Sequence, residues 1–111
     1  MKILLPLKSL SVNKAWSGRR FKSVYYKEFE KEVCALLPFS HKTITSEVEI
    51  HYTFYVKNYK MSDVDNMIKP IQDLIIAREY LKDDRQIVFL SAEKVKSEKE
   101  SIEIEIINYG D

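Results

Sequence analysis

The sequence predicts an α/β (α+β) fold built as a two-layer sandwich, one mixed β-sheet with two helices on one face, in the order β-α-β-α-β-β. Three observations predict it. Apolar residues recur at helical spacing in two segments of the 111-residue chain: Tyr26, Phe29, Val33 and Leu36 or Leu37, then Ile68, Ile71 and Leu74 or Ile75. Between these segments the period falls to two, with Val48, Ile50, Tyr52, Phe54 and Val56 on one face and Glu47, Glu49, His51 and Thr53 on the other. Near the end, Ile102, Ile104 and Ile106 alternate with Glu103 and Glu105, which leaves one sheet face polar if the helices cover only the other.

The elements follow in order. Residues 2–7 read as a short strand that Pro6 ends early or holds at an edge. Residues 9–21 read as a loop. Ser23 is the expected N-cap of the first helix, and Pro38 stops it. Cys34 on this helix is expected as a small side chain near the core. Residues 43–56 form a long, half-buried strand; neither His51 on its polar face nor His41 before it has a metal-ligand partner at a useful spacing, and neither is given a role. The second helix covers 65–80. Residues 86–96 and 101–109 are two further strands joined by the polar turn 97–100.

One domain spanning 1–111 is expected, because 45% hydrophobic and 32% charged residues can close a single core and not two. A lone cysteine excludes an internal disulfide and a thiolate zinc site, so a reducing, cytoplasmic setting fits. No apolar run reaches the roughly 20 residues that span a bilayer, and residues 1–10 are too short and lysine-broken for a signal peptide. No membrane partner is expected.

The net charge of +1 conceals a division. Residues 1–27 hold Lys2, Lys8, Lys14, Arg19, Arg20, Lys22 and Lys27 and no acid; the remainder carries 11 basic against 17 acidic residues. Residues 51–62 are also free of acids and interleave Tyr52, Phe54, Tyr55 and Tyr59 with Lys57 and Lys60. Basic and aromatic residues mixed in this way suit nucleic acid, and equally an ordinary solvated surface.

The chemically dense segment runs from Ser62 to Lys69 and is followed by Lys82-Asp83-Asp84-Arg85. Asp63 and Asp65 stand two apart where strand gives way to helix, and an extended backbone there would aim both carboxylates the same way. Lys69, four beyond Asp65, would lie one helical turn away, its ammonium over the carboxylates. Asp83 or Asp84 would join them if the following strand pairs beside the earlier one. Charges about 5 Å apart repel by roughly 3 kcal/mol at an effective dielectric near 20. A helix cap contributes only about 1 kcal/mol. A bound hard cation, Mg²⁺ or Mn²⁺, would hold the three acids together, and a cation and lysine beside a basic surface describe phosphodiester hydrolysis. The plain alternative is an N-capping Asp63 or Asp65, turn-forming Asp83 and Asp84 and a solvated Lys69. Pro70 disturbs the first turn of a helix begun at Asp65, so either the helix starts later or the Asn66 carbonyl finds another donor.

Several blocks stand in order along the chain: a first strand leading into Ser11-Val12-Asn13, then Asp63-x-Asp65-Asn66-x-x-Lys69 with Asp73 after it, then Asp83-Asp84 followed by Gln86, and Lys94 on the next strand. In them the chain resembles the RusA family of Holliday-junction resolvases, over nearly its whole length. The resemblance implies a homodimer that binds four-way DNA junctions in recombination and repair. With Mg²⁺, or Mn²⁺ as a substitute, it would nick two opposed strands symmetrically, using no organic cofactor. It implies Asp63, Asp65 and Asp84 as metal ligands and Lys69 as the lysine required for cleavage. Lys57 and Lys60 fall where the family carries a basic run, here less arginine-rich. Lys14, Arg19, Arg20, Lys22 and Lys94 complete the candidate DNA contacts, and Trp16 and Phe21 would stack on bases, pack in the core or form a dimer contact. Paired cuts need two identical sites, which a C₂ dimer supplies. The alternatives are a non-catalytic junction or single-strand binding protein and a nuclease for other branched DNA.

Overall fold

Strand β4 (Val48–Val56) is the centre of the molecule, and its burial alternates without a break, as its period-two sequence requires. It pairs antiparallel with β6 (Ser101–Asn108) and parallel with β5 (Ile87–Lys96), while β1 (Lys2–Leu5) pairs antiparallel with β6. The mixed sheet therefore runs β1-β6-β4-β5. The structure, a computed structural model, describes residues 1–17 and 21–110, with the side chains of Trp16, Ser17 and Phe21 outside that description. Strands β5 and β6 do not form a hairpin: the 97–100 turn passes over the end of β4, where the Ser97 N–H donates to the Val56 carbonyl at 2.9 Å.

Helices α2 (Val24–Leu36) and α3 (Ile68–Ala77) supply the second layer. The Tyr26 N–H donates to the Ser23 hydroxyl, so Ser23 is the N-cap its residue type predicts. Tyr26, Phe29, Val33 and Leu37 turn inward with Ile71, Leu74 and Ile75 onto Ile50, Tyr52, Phe54, Ile102 and Ile104. The opposite sheet face carries Glu49, His51, Thr53, Glu103 and Glu105 and, among the described residues, no helix. The two-layer sandwich and its polar face are as the sequence predicts.

Boundaries moved where tertiary contacts overrode local pattern. The first strand stops at Leu5, one residue before Pro6. Residues 43–47 are not strand; Ile44 makes only an isolated bridge to Leu81. The expected loop 9–21 contains a third helix, α1 (Val12–Ala15), and a small hairpin of β2 (Trp16–Ser17) and β3 (Phe21–Lys22). Four residues are too few for a helical period to show. Burial of Ala15 and a hydrogen bond from the Ser23 N–H to its carbonyl hold them instead. At the end of α3, Glu79 takes the left-handed conformation, φ 67°, as the chain turns toward Leu81. Among the described residues no helix is long and apolar enough to cross a membrane.

Candidate active site

The parallel pairing of β4 with β5 requires a crossover, and that crossover carries the acidic segment. From the end of β4 the chain makes a 3₁₀ turn (Tyr59–Met61), then a second (Val64–Met67), before α3 begins. Asp63 stands at the N-cap position of the second turn with an extended backbone, its carboxylate making no capping bond, and Asp65 lies within the turn. The expected extended Asp63-x-Asp65 is therefore not found: a turn of three residues separates positions i and i+2, where a strand would align them. The Asn66 side-chain amide donates to Asp63 Oδ2 at 3.4 Å, so Asn66 belongs to the same corner. The Pro70 conflict disappears because α3 starts at Ile68, which places Pro70 in the first turn, where backbone N–H groups lack helical partners anyway.

Lys69 does not return over Asp65. Its ammonium lies 2.9 Å from Asp73 Oδ1 and 3.8 Å from Asp84 Oδ2, a bridge from the start of α3 to the entrance of β5. The hydrogen bond to Asp73 is the main reason its pKa is raised above the ordinary lysine range; partial burial opposes the shift, and the charges of Asp73 and Asp84 add to it.

Asp83 and Asp84 divide their work. Asp83 caps the 3₁₀ turn Asp84–Gln86, accepts from the Arg85 N–H at 2.8 Å and is forked by the Arg85 guanidinium. Those bonds, the side-chain ones first, hold its carboxyl well below the usual range. Asp84, the other member of the pair, faces Lys69. The turn is locked by Gln86, whose Oε1 accepts from the Lys82 and Asp83 N–H groups at 2.7 and 2.8 Å. Its Nε2 donates to the Ile44 and Ser46 carbonyls at 2.8 and 2.9 Å. Sequence reasoning gave Gln86 and Asp73 no role. The Asp-x-x-Gln spacing of a capping box and the Lys69–Asp73 spacing of one helical turn were the available signals.

The donors are oxygen-only and solvent-facing, chemistry that suits a hard divalent cation. Among the described residues, however, no three of His, Cys, Asp and Glu are placed to ligate one ion together. The expected meeting of three carboxylates is thus not a preformed cage. Mg²⁺ is compatible with that spacing, since one or two carboxylates and substrate phosphates ordinarily suffice to hold it.

A groove of about 750 Å³ opens beside Asp63 and is lined by Ser11, Asn13, Lys14, Lys57, Asp63 and Asn66, among others. It brings the Ser11-Val12-Asn13 block, Lys14 and Lys57 to the acidic corner, and Lys60 is exposed on the neighbouring turn. Lys22 pairs with Glu30 at 3.0 Å and sits 5.0 Å from the Tyr26 ring centre, and Lys94 is turned inward onto backbone carbonyls. Arg19 and Arg20 lie outside the described residues, as do the side chains of Trp16 and Phe21.

Comparison with known proteins gives a family. The family model described as Endodeoxyribonuclease RusA matches residues 10–107. A crossover junction endodeoxyribonuclease rusA of Lactococcus phage r1t is 52% identical over 44 residues, which are 40% of this chain. The match spans 34% of that relative's length.

Proposed function

This chain belongs to the RusA endodeoxyribonuclease family, and on that premise we propose that it is a divalent-cation-dependent endonuclease that resolves four-way DNA junctions as a homodimer by paired, symmetric nicks. The observation that carries the reading is the Lys69 ammonium held between Asp73 and Asp84, in the crossover that also presents Asp63 and Asp65. Asp63, Asp65 and Asp84 would hold Mg²⁺ or Mn²⁺, with DNA phosphate completing the shell. A cation bound there would supply a water of lowered pKa and neutralise charge on the scissile phosphate.

The chain's own residues do the rest. Lys69 brings a fixed positive charge to the phosphate oxygens as negative charge builds on them, and Asp73 keeps it protonated and aimed. Asp83 and Gln86 hold the backbone of Asp84, so its carboxylate approaches from a rigid turn. Lys14 and Lys57 line the path along which a strand would reach Asp63.

The test is cleavage of a labelled mobile four-way junction, with linear duplex and flap controls, in Mg²⁺, Mn²⁺ and EDTA. Paired symmetric nicks confined to the junction are expected, with Asp63→Asn and Asp84→Asn abolishing them while junction binding persists. Either variant cutting at the wild-type rate removes the assigned site. Tight binding without nicks in either metal favours the non-catalytic junction binder, the reading that the separated carboxylates would fit.

A further inference from the structure

Lys94 is tied to the backbone of the crossover. It projects from β5 opposite Phe54 of β4, and its Nζ donates to the Tyr59 carbonyl at 2.6 Å and the Ser62 carbonyl at 2.9 Å. The Tyr59 ring covers it at 4.2 Å from the ring centre. An ammonium has three donors. Two are committed here, and the ring lies over the head group.

We propose that Lys94 is a positioning residue for Asp63, acting as a pin that fixes the 59–62 turn to the sheet; the proposal rests on the reading of Asp63 as a metal ligand. Among the described residues, the other hydrogen bonds to the turn are long or internal to it. The Ser62 N–H to Tyr59 carbonyl bond is long, 3.4 Å, and Met61 N–H and Ser62 hydroxyl both bond to the Asn58 carbonyl, within the same turn. The tie from Lys96 to the Lys57 carbonyl is weaker, at 3.4 Å. The carbonyl Lys94 grips at Ser62 belongs to the peptide that joins Ser62 to Asp63. Displacement of that peptide displaces the carboxylate directly, and an error of about 1 Å in a reacting geometry costs on the order of 100-fold in rate.

The experiment compares Lys94→Met with wild type in the full chain. Amide hydrogen exchange across residues 58–63 is expected to quicken, and single-turnover nicking at saturating junction in Mg²⁺ to fall about 10- to 100-fold. Junction affinity and its salt dependence are expected to stay within twofold. Lys94→Arg keeps donors but cannot seat one nitrogen between both carbonyls, and it is expected to fall between the two in exchange and rate; it serves if the methionine variant fails to fold. Unchanged exchange in both variants overturns the proposal. So does weakened binding with a shallower salt slope and an intact saturated rate, the behaviour of a phosphate contact. Asp63→Asn, run alongside, separates the two ideas: wild-type nicking by that variant removes the site reading, while the exchange data still decide whether Lys94 is the pin.

Discussion

Gln86→Leu tests how the turn before β5 is held. The substitution is close to volume-conserving but removes all four hydrogen bonds that the Gln86 side chain makes to backbone groups. The bonds to the Asp83 N–H and the Ile44 carbonyl are partly buried, and those groups would lose about 1 kcal/mol each; the exposed Lys82 N–H and Ser46 carbonyl can rehydrate at about 0.5 kcal/mol each. The sum is about 3 kcal/mol, a substantial part of the 5–15 kcal/mol typical of a domain. Urea denaturation at pH 7 reads it as a lower midpoint at unchanged slope. Gln86→Glu adds a sign. One carboxylate oxygen would still accept from the Lys82 and Asp83 N–H groups while the other meets the Ile44 and Ser46 carbonyls. Protonation of that other oxygen turns the repulsion into a hydrogen bond, so the deficit is full at neutral pH and shrinks on acidification through the carboxylate range. A Gln86→Leu variant within 0.5 kcal/mol of wild type, or a Gln86→Glu deficit that does not shrink on acidification, would refute the account of Gln86 as the lock of this turn.

Two other expectations concern charge. Lys69→Met should lower saturated nicking by about 100-fold or more with little change in junction affinity, measured by single-turnover cleavage and gel shift. Because the folded pKa of Lys69 is raised, its contribution to stability is complete below the unfolded value and fades only as pH rises through the folded one. The nicking rate should accordingly show no alkaline loss due to Lys69 up to about pH 10; a limb near pH 8–9 that moves in Lys69→Arg would contradict this. Arg78 donates to the Leu37 and Cys34 carbonyls at 2.8 and 3.2 Å and lies 4.0 Å from the Phe39 ring centre. Arg78→Ala should cost about 2–3 kcal/mol in thermal or urea unfolding, and leave nicking per folded molecule unchanged.

The sheet and the two long helices were legible because their apolar residues obey one period over many residues, as Val48 to Val56 and Tyr26 to Val33 do. The strand order was not, since nothing in the 97–100 turn says that it crosses over β4 and does not close a hairpin. In the site, residue types and spacing singled out Asp63, Asp65 and Lys69 and left Asp83 and Asp84 open, Asp84 being chosen on the family resemblance; none of this named their partners. Lys69 could equally reach back to Asp65 or forward to Asp73 by spacing alone; the late start of α3 decided for Asp73. Lys94 reads as one more surface cation in sequence, because the carbonyls it binds at Tyr59 and Ser62 carry no residue signature.

The helix-free face of the sheet has an electrical consequence. Glu49, Glu93, Glu103 and Glu105 spread across three strands there, with Lys2 beside Glu103 at 3.9 Å, while the groove on the helix layer mixes Lys8, Lys14 and Lys57 with Glu28, Glu32, Asp63 and Glu100. The bare sheet face repels a polyanion before any contact forms. Within about a Debye length, roughly 10 Å at 0.1 M salt, that repulsion turns the face away. Encounters on that side are discouraged at a distance, and the discouragement fades as salt is added.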